Sequence, residues 1–141
     1  MTRDGRIVLI RQERIPIRAA IWEMPSGQID GPAQETAEQV ARRELREEAG
    51  YELAKDGQLI TLGYYFTSPG FTDERGHFFL ARPVESCSNY MRDESESILD
   101  CRAFTVREIR RMITESEICD ANTLSLWARL SARDLLPVKE R

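Results

Sequence analysis

The sequence predicts a single mixed α/β domain, and three observations support this fold class. The 141 residues are enough for one domain with a substantial core but not for two. Short runs of β-branched and aromatic residues alternate with amphipathic helical patterns along the chain. No internal repeat, low-complexity tract or linker interrupts this alternation. We therefore expect residues 1–141 to form one domain.

Two short strands and a loop are predicted at the start of the chain. Residues 6–11 contain four consecutive apolar side chains, which indicates a strand that is buried on both faces. A second short strand is predicted at residues 21–24. Proline and glycine residues then predict a loop over residues 25–35.

The helix predicted at Ala37–Ala49 has the clearest boundaries in the sequence. Thr36 is suited to cap its N-terminus, and Gln39, three residues later, completes a capping box. Gly50 is a natural C-terminal stop, because glycine adopts the left-handed conformation that ends many helices.

The second half of the chain is predicted to contain three strands separated by two loops. Strands are predicted at residues 59–67 and 77–84, which are rich in β-branched and aromatic side chains. Residues 68–76 between them form a turn-rich loop. A polar, acidic loop is predicted at residues 85–97, and the last strand at residues 98–104.

Two further helices are predicted toward the C-terminus. Thr105 and Glu108 form a second capping box for a helix at about residues 106–114. Asp120 is suited to cap a final amphipathic helix. The apolar side chains assigned to that helix are Leu124, Trp127, Leu130 and Leu135.

The composition excludes several classes of protein. The chain is 41% apolar and 31% charged, as in an ordinary globular domain, and no apolar run reaches the ~20 residues that span a bilayer. A net charge of −4 argues against a nucleic-acid partner. The N-terminus does not resemble a signal peptide, and the three cysteines are odd in number and lack zinc-site spacing. We therefore expect a cytoplasmic protein with reduced, buried thiols and no membrane partner.

The second half of the predicted helix at 37–49 carries an unusual group of acids. Glu44, Glu47 and Glu48 stand at i, i+3 and i+4, so that all three lie on one helix face. Such carboxylates repel one another unless a cation lies among them, and hard oxygen ligands suit Mg²⁺ or Mn²⁺. The alternative is a solvated surface helix with ion pairs such as Arg43 with Glu47.

The first half of the same helix favours a functional site over a solvated surface. Val40, Ala37 and Ala41 lie within about 60° of Glu44 on the helical wheel. The stripe is therefore apolar at one end and acidic at the other, as expected where a helix leaves the core and forms the wall of a site.

These residues resemble the Nudix box, whose family pattern is G-x5-E-x7-R-E-U-x-E-E-x-G-U with U a bulky apolar residue. Every fixed position from Glu35 onward matches, and Tyr51 fills the last U position. The leading glycine is the departure, since position 29 is Ile29 and the candidate, Gly27, lies two residues earlier. A two-residue insertion around 30–32 accounts for the shift.

The resemblance implies a Nudix-type α/β/α sandwich with a mixed sheet, and hydrolysis of a nucleoside diphosphate linked to another group. It implies Mg²⁺, with Mn²⁺ able to substitute, held by Glu44, Glu47, Glu48 and the loop at Ser26. Glu48 is the acid most directly tied to catalysis, and Arg43 orients the acids by ion pairing.

The general base in many members of the family lies on a loop outside the box. Glu96 is the first candidate here and Glu94 the second, because both precede the last predicted strand. An ordinary acidic surface loop is the alternative interpretation.

Flanking segments resemble the ADP-ribose pyrophosphatase group of this family. Residues 11–14 and 22–27 are similar to its R-Q-Y-R and W-E-L-P-A-G stretches, residues 68–74 to its proline-containing marker, and residues 118–123 to its I-x-D-A-x-T motif. The resemblance implies that four residues bind the substrate. They are Arg14, Arg18, Glu23 and Phe71.

The arginines and the aromatic residues of these segments also have a structural interpretation. Arg14 and Arg18 suit diphosphate oxygens, with a solvated surface charge as the alternative for each, and for Arg18 the two interpretations have about equal weight. Phe71 and Trp22 are able to stack on a base, but each also suits the core, and for Trp22 the core is favoured.

The leading hypothesis is hydrolysis of a nucleotide sugar, ADP-ribose, to AMP and ribose 5-phosphate. The alternatives are another Nudix substrate, such as GDP-mannose, NADH or a dinucleoside polyphosphate, and a non-catalytic module that senses a nucleotide. The group usually carries an N-terminal extension before the first strand, and by this resemblance we expect that extension to be absent here. A homodimer is expected by resemblance.

Overall fold

The computed structural model describes residues 1–29, 34–90 and 97–137. Within these ranges the chain forms five strands and three α-helices. The strands are β1 (Ile7–Arg14), β2 (Ala19–Glu23), β3 (Tyr51–Phe66), β4 (Arg75–Ser86) and β5 (Ile98–Phe104). The helices are α1 (Ala37–Ala49), α2 (Val106–Thr114) and α3 (Ala121–Ala132), and a short 3-10 helix, Ile15–Ile17, connects β1 to β2.

The strands form two sheets rather than one continuous mixed sheet. One has the order β2-β1-β5 and the other pairs β3 with β4, and all of these ladders are antiparallel. Among the described residues, the parallel component of the expected mixed sheet is limited to an isolated bridge between Thr2 and Val84.

Strand β1 lies between two layers of helices, and its side chains alternate between the two faces of the sheet, so that both layers contact it. Val8 and Ile10 pack in a cluster with Ala49 of α1. Leu9 points to the other face, where it packs with Met112 of α2. All three side chains of β1 are at least 94% buried. The predicted α/β/α sandwich and the strand buried on both faces are therefore confirmed.

Helix α1 has the predicted boundaries. Both hydrogen bonds of the capping box are present, from the Gln39 backbone N–H to the Thr36 hydroxyl and from the Thr36 N–H to the Gln39 side chain. Gly50 is the C-cap, in the left-handed conformation. The same box, formed by Thr105 and Glu108, begins α2 as predicted.

Strand β3 begins eight residues earlier than predicted. Residues 55–58 have the composition of a turn, but the strand continues through them with a shift of register between Leu53 and Gln58. An irregularity of this kind lets a strand accommodate residues that do not fit its pairing. Local composition alone therefore gave the wrong start for this strand.

Two further expectations need correction. Helix α3 ends at Ala132, and Asp134 has a φ of 54°, so Leu135 follows the helix and packs against the core from outside it. The thiols are free but not buried, because Cys87 and Cys101 are half-buried and Cys119 is exposed.

In the part of the chain that the structure describes, no helix is both long and apolar enough to cross a membrane.

Candidate active site

A polar cleft of about 290 Å³ lies between α1 and the loop that follows β2. Its floor comes from β1 and its two walls from the helix and the loop. The lining residues are Gln12, Arg14, Ser26, Gly27, Gln28, Arg43, Glu44 and Glu48. Most of the residues that the sequence singles out for metal binding therefore meet at one place.

The helix wall presents two nearly buried carboxylates. Glu44 and Glu48 are 6% and 3% exposed, and they lie one helical turn apart on the side of α1 that Val40 buries. Glu47 belongs to the same group of acids in the sequence, but its side chain is 47% exposed and lies at the margin of the cleft. The structure thus separates the three acids into two that face the cleft and one that faces solvent.

Arg43 links three carboxylates on and beside the helix. Its Nη1 donates to Glu44 Oε1 at 2.8 Å and to Glu47 Oε2 at 3.2 Å. Its Nε donates to Glu35 Oε1 at 3.2 Å. The hydrogen bond to Glu35 is the main cause that raises the pKa of Arg43 above its ordinary value. One guanidinium therefore fixes the orientation of these acids and offsets their repulsion.

The loop wall contacts the helix carboxylates through its main chain. The backbone N–H of Ser26 donates to Glu48 Oε2 at 2.7 Å. Gly27 lies so close to Glu44 that a Cβ at this position would be 2.1 Å from its carboxylate oxygen Oε1. A larger residue would require the loop or the Glu44 side chain to move. Gly27, the sequence's candidate for the leading glycine of the box, is thus packed against the helix it precedes.

An Arg–Glu pair lies on the β1 side of the cleft, with Arg14 among the lining residues. Arg14 binds Glu23 with both ends of its guanidinium, from Nε to Oε1 at 2.9 Å and from Nη2 to Oε2 at 2.5 Å. Glu23 is 3% exposed, whereas the Arg14 side chain is 42% exposed. The hydrogen bond to Glu23 raises the pKa of Arg14, and the charges of Asp120 and Glu48 act in the same direction.

The other candidate substrate residues lie away from this cleft. Arg18 is exposed at the turn between β1 and β2, and Phe71 is 86% exposed on the loop between β3 and β4. Trp22 packs edge-on against Phe104 at 4.9 Å, in agreement with its interpretation as a core residue. The candidate bases Glu94 and Glu96 lie outside the described residues.

One contact of the loop wall was not predicted. The backbone N–H of Met24 donates to the hydroxyl of Thr123, at 3.1 Å. These residues are 99 positions apart, so no local pattern indicates the contact. The only signal in the sequence was the resemblance of residues 118–123 to a motif of the ADP-ribose pyrophosphatase group, which did not assign Thr123 a role.

The donor chemistry of the cleft fits a divalent cation. Glu44 and Glu48 offer hard carboxylate oxygen atoms, which Mg²⁺ prefers, and Ser26 lines the same cleft. Within the described ranges, no three Asp, Glu, His or Cys side chains stand close enough together to hold a metal. In this arrangement Arg43 pairs with the carboxylates of Glu44 and Glu47. Metal binding would require Glu44 and Glu47 to exchange their arginine partner for the cation.

Similar proteins of known family support this interpretation of the site. Residues 1–125 match the family model of the NUDIX domain. The chain is 29% identical to an ADP-ribose pyrophosphatase of Bacillus subtilis (strain 168), over 99% of this chain and 73% of the relative. It is 31% identical to a methanol dehydrogenase activator of Bacillus methanolicus, over 99% of this chain and 72% of the relative.

A solved structure shares the fold. The structure of an ADP compounds hydrolase superimposes with a TM-score of 0.76 and covers 92% of this chain and 66% of its own. The sequence identity of this pair is 19%, so the likeness concerns the fold alone.

Proposed function

The chain belongs to the Nudix family of hydrolases, and from that premise we propose that it hydrolyses the pyrophosphate bond of a nucleoside diphosphate sugar, with ADP-ribose as its preferred substrate. The products are AMP and ribose 5-phosphate, formed when water adds across the P–O–P bridge. The observation that carries the proposal is the pair of nearly buried carboxylates, Glu44 and Glu48, which face a polar cleft.

The proposal includes a divalent cation, Mg²⁺ or in its place Mn²⁺. Glu44, Glu48 and the main chain at Ser26 would hold it, with Glu47 able to join from the margin of the cleft. When bound, the cation screens the phosphate charge and orients the attacking water.

The chain's own side chains prepare this site. The ion pairs of Arg43 keep Glu44 oriented toward the cleft, and the Ser26 N–H directs Glu48. Arg14 is fixed by Glu23 on the β1 side of the cleft, where its partly exposed guanidinium is suited to bind diphosphate oxygens. Glu96, with Glu94 second, stays the proposed general base.

The choice of ADP-ribose rests on two supports. A relative named ADP-ribose pyrophosphatase aligns with 99% of this chain, through the helix and both flanking segments. Residues 68–74 and 118–123 resemble the markers of the same group. A homodimer is also proposed, on resemblance alone, and sedimentation velocity tests it.

The test is a substrate panel. Purified protein is incubated with ADP-ribose, ADP-glucose, GDP-mannose, NADH and diadenosine polyphosphates, with Mg²⁺ or with EDTA, and a phosphatase then releases phosphate from any monoester product. We expect Mg²⁺-dependent turnover with ADP-ribose preferred. Preference for another compound would change the substrate but keep the reaction. No turnover of any compound by folded protein would replace the proposal with the nucleotide-sensing alternative.

A further inference from the structure

Helix α3 is joined to the active-site loop by a hydrogen bond to the main chain of Met24, whose side chain also packs against the core. The Thr123 hydroxyl, in the first turn of α3, accepts a hydrogen bond from the Met24 N–H at 3.1 Å. Thr123 is 6% exposed, so water does not readily replace this partner. We propose that Thr123 is a positioning residue of the hydrolytic site, which acts by fixing the loop that orients Glu48.

The contacted residue lies between two groups of the site. Glu23, directly before Met24, holds Arg14, and Ser26, two residues after it, donates its N–H to Glu48 Oε2 at 2.7 Å. The described part of this loop contains no helix or strand, so its backbone is held by hydrogen bonds of this kind together with the packing of the Met24 side chain against the core. A shift of Met24 therefore moves Ser26 and changes the orientation of Glu48.

The direction of the Thr123 hydroxyl is fixed by Asp120. The hydroxyl donates its proton to Asp120 Oδ2 at 2.8 Å, and the Thr123 N–H donates to the same oxygen at 2.8 Å. A carboxylate only accepts, so the proton of the hydroxyl points to Asp120 and a lone pair points to Met24. The cap of α3 thus also sets the acceptor for the loop.

The other end of α3 is tied to the β3–β4 sheet, which makes the helix a rigid support. Arg129 Nη1 donates to the carbonyl oxygens of Leu62 and Tyr64 at 2.8 and 3.1 Å. Gly63 between them has a φ of 89° at a shift of register, and this left-handed conformation favours glycine. The loop is thereby positioned relative to the sheet through α3.

The first test of this inference does not require activity. Thr123→Val keeps the size of the side chain and removes the hydroxyl, Thr123→Ser restores it, and Thr114→Val removes an exposed hydroxyl from α2 as a matched control. Amide exchange is followed by NMR. In Thr123→Val we expect the Met24 and Ser26 amides to exchange at least about tenfold faster than in the unaltered protein. The melting temperature should stay within roughly 5 °C of that of the unaltered protein.

The second test measures the metal site. Mutation of the residues that position metal ligands typically lowers metal affinity by about 10- to 100-fold. We therefore expect Thr123→Val to weaken Mn²⁺ binding by about tenfold, as measured by EPR of the free ion. The Mn²⁺ concentration for half-maximal turnover should rise by the same factor, and saturating Mn²⁺ should restore most of the rate. Thr123→Ser should lie within about threefold of the unaltered protein.

The outcomes separate this inference from the proposed function on which it rests. Unchanged Met24 and Ser26 exchange in Thr123→Val, unchanged Mn²⁺ affinity, or failure of Thr123→Ser to restore both would overturn the positioning role. If the unaltered protein neither binds Mn²⁺ nor turns over ADP-ribose, the proposed function is wrong, and the amide exchange alone decides whether Thr123 fixes the loop.

Discussion

The two walls of the cleft are built in different ways. Helix α1 has its own start, stop and ion pairs within residues 35–50, including the capping box and the contacts of Arg43. The loop at residues 24–28 has no regular structure, and its contacts reach Glu48 and Thr123, 22 and 99 positions away. The helix wall is thus specified locally and the loop wall by long-range contacts, which predicts different responses to substitution.

The largest effect is expected on the helix wall, from Glu48→Gln. The amide keeps a hydrogen-bond acceptor for the Ser26 N–H but loses the charge of a metal ligand. Turnover of ADP-ribose should fall by about 1000-fold, with the fold unchanged by circular dichroism. Glu38→Gln, an exposed change on the first turn of the same helix, is the control. A near-normal rate in Glu48→Gln would remove this residue from the metal site.

Gly27→Ala tests the closest contact between the walls. The new Cβ would stand 2.1 Å from Glu44 Oε1, so the loop or the carboxylate must move. A displacement near 1 Å lowers a rate by about 100-fold, and we expect a loss of that order in kcat. Gly70→Ala is the matched control, because a Cβ there meets nothing within 4 Å. Equal activity of the two variants would contradict the close approach.

Arg43→Lys tests how the acids of the helix wall are oriented. Lysine keeps the charge but not the planar fork that reaches Glu35, Glu44 and Glu47 together. We expect kcat to fall by about tenfold and the Mg²⁺ requirement to rise. Arg42→Lys, at the exposed neighbouring position, should change neither. If both substitutions have the same effect, the ion pairs of Arg43 do not organise the site.

The smallest effect on activity is expected at the start of the helix. Thr36→Ala removes a capping-box partner and should lower the free energy of unfolding by about 1 kcal/mol, or the melting temperature by roughly 4 °C. Because the acids lie on the last turns of α1, kcat should stay within about twofold. Thermal unfolding and saturating kinetics on the same sample check both values, and a large loss of kcat would mean that fraying at Thr36 reaches Glu44.

The contrast between local and long-range contacts also explains which predictions from the sequence were correct. The boundaries of α1, the strand Ile98–Phe104 and both capping boxes follow from neighbouring residues, and all are confirmed. The start of β3 was wrong because pairing with β4, not local composition, decides it. The assignment of Leu135 to α3 was wrong because the helix ends at Ala132, and Leu135 packs against the core from the turn that follows. Helical spacing of an apolar residue does not distinguish these two cases.

The candidate site shows the same limit. The sequence placed Glu44, Glu47 and Glu48 on one face of a helix, but it did not indicate which of them is buried. That depends on the packing of α1 against the sheet. The contact between Met24 and Thr123 depends on tertiary structure in the same way, because the motifs at residues 22–27 and 118–123 do not indicate that these two residues meet.

The most direct test of the central claim is a Mg²⁺ titration of AMP formation from ADP-ribose by the unaltered protein, with EDTA as the zero point. We expect AMP and ribose 5-phosphate in equal amounts, a rate that rises to saturation with Mg²⁺, and no product in EDTA. Product formed at the same rate in EDTA, or no product at any Mg²⁺ concentration from folded protein, would contradict a metal-dependent hydrolytic site between α1 and the loop.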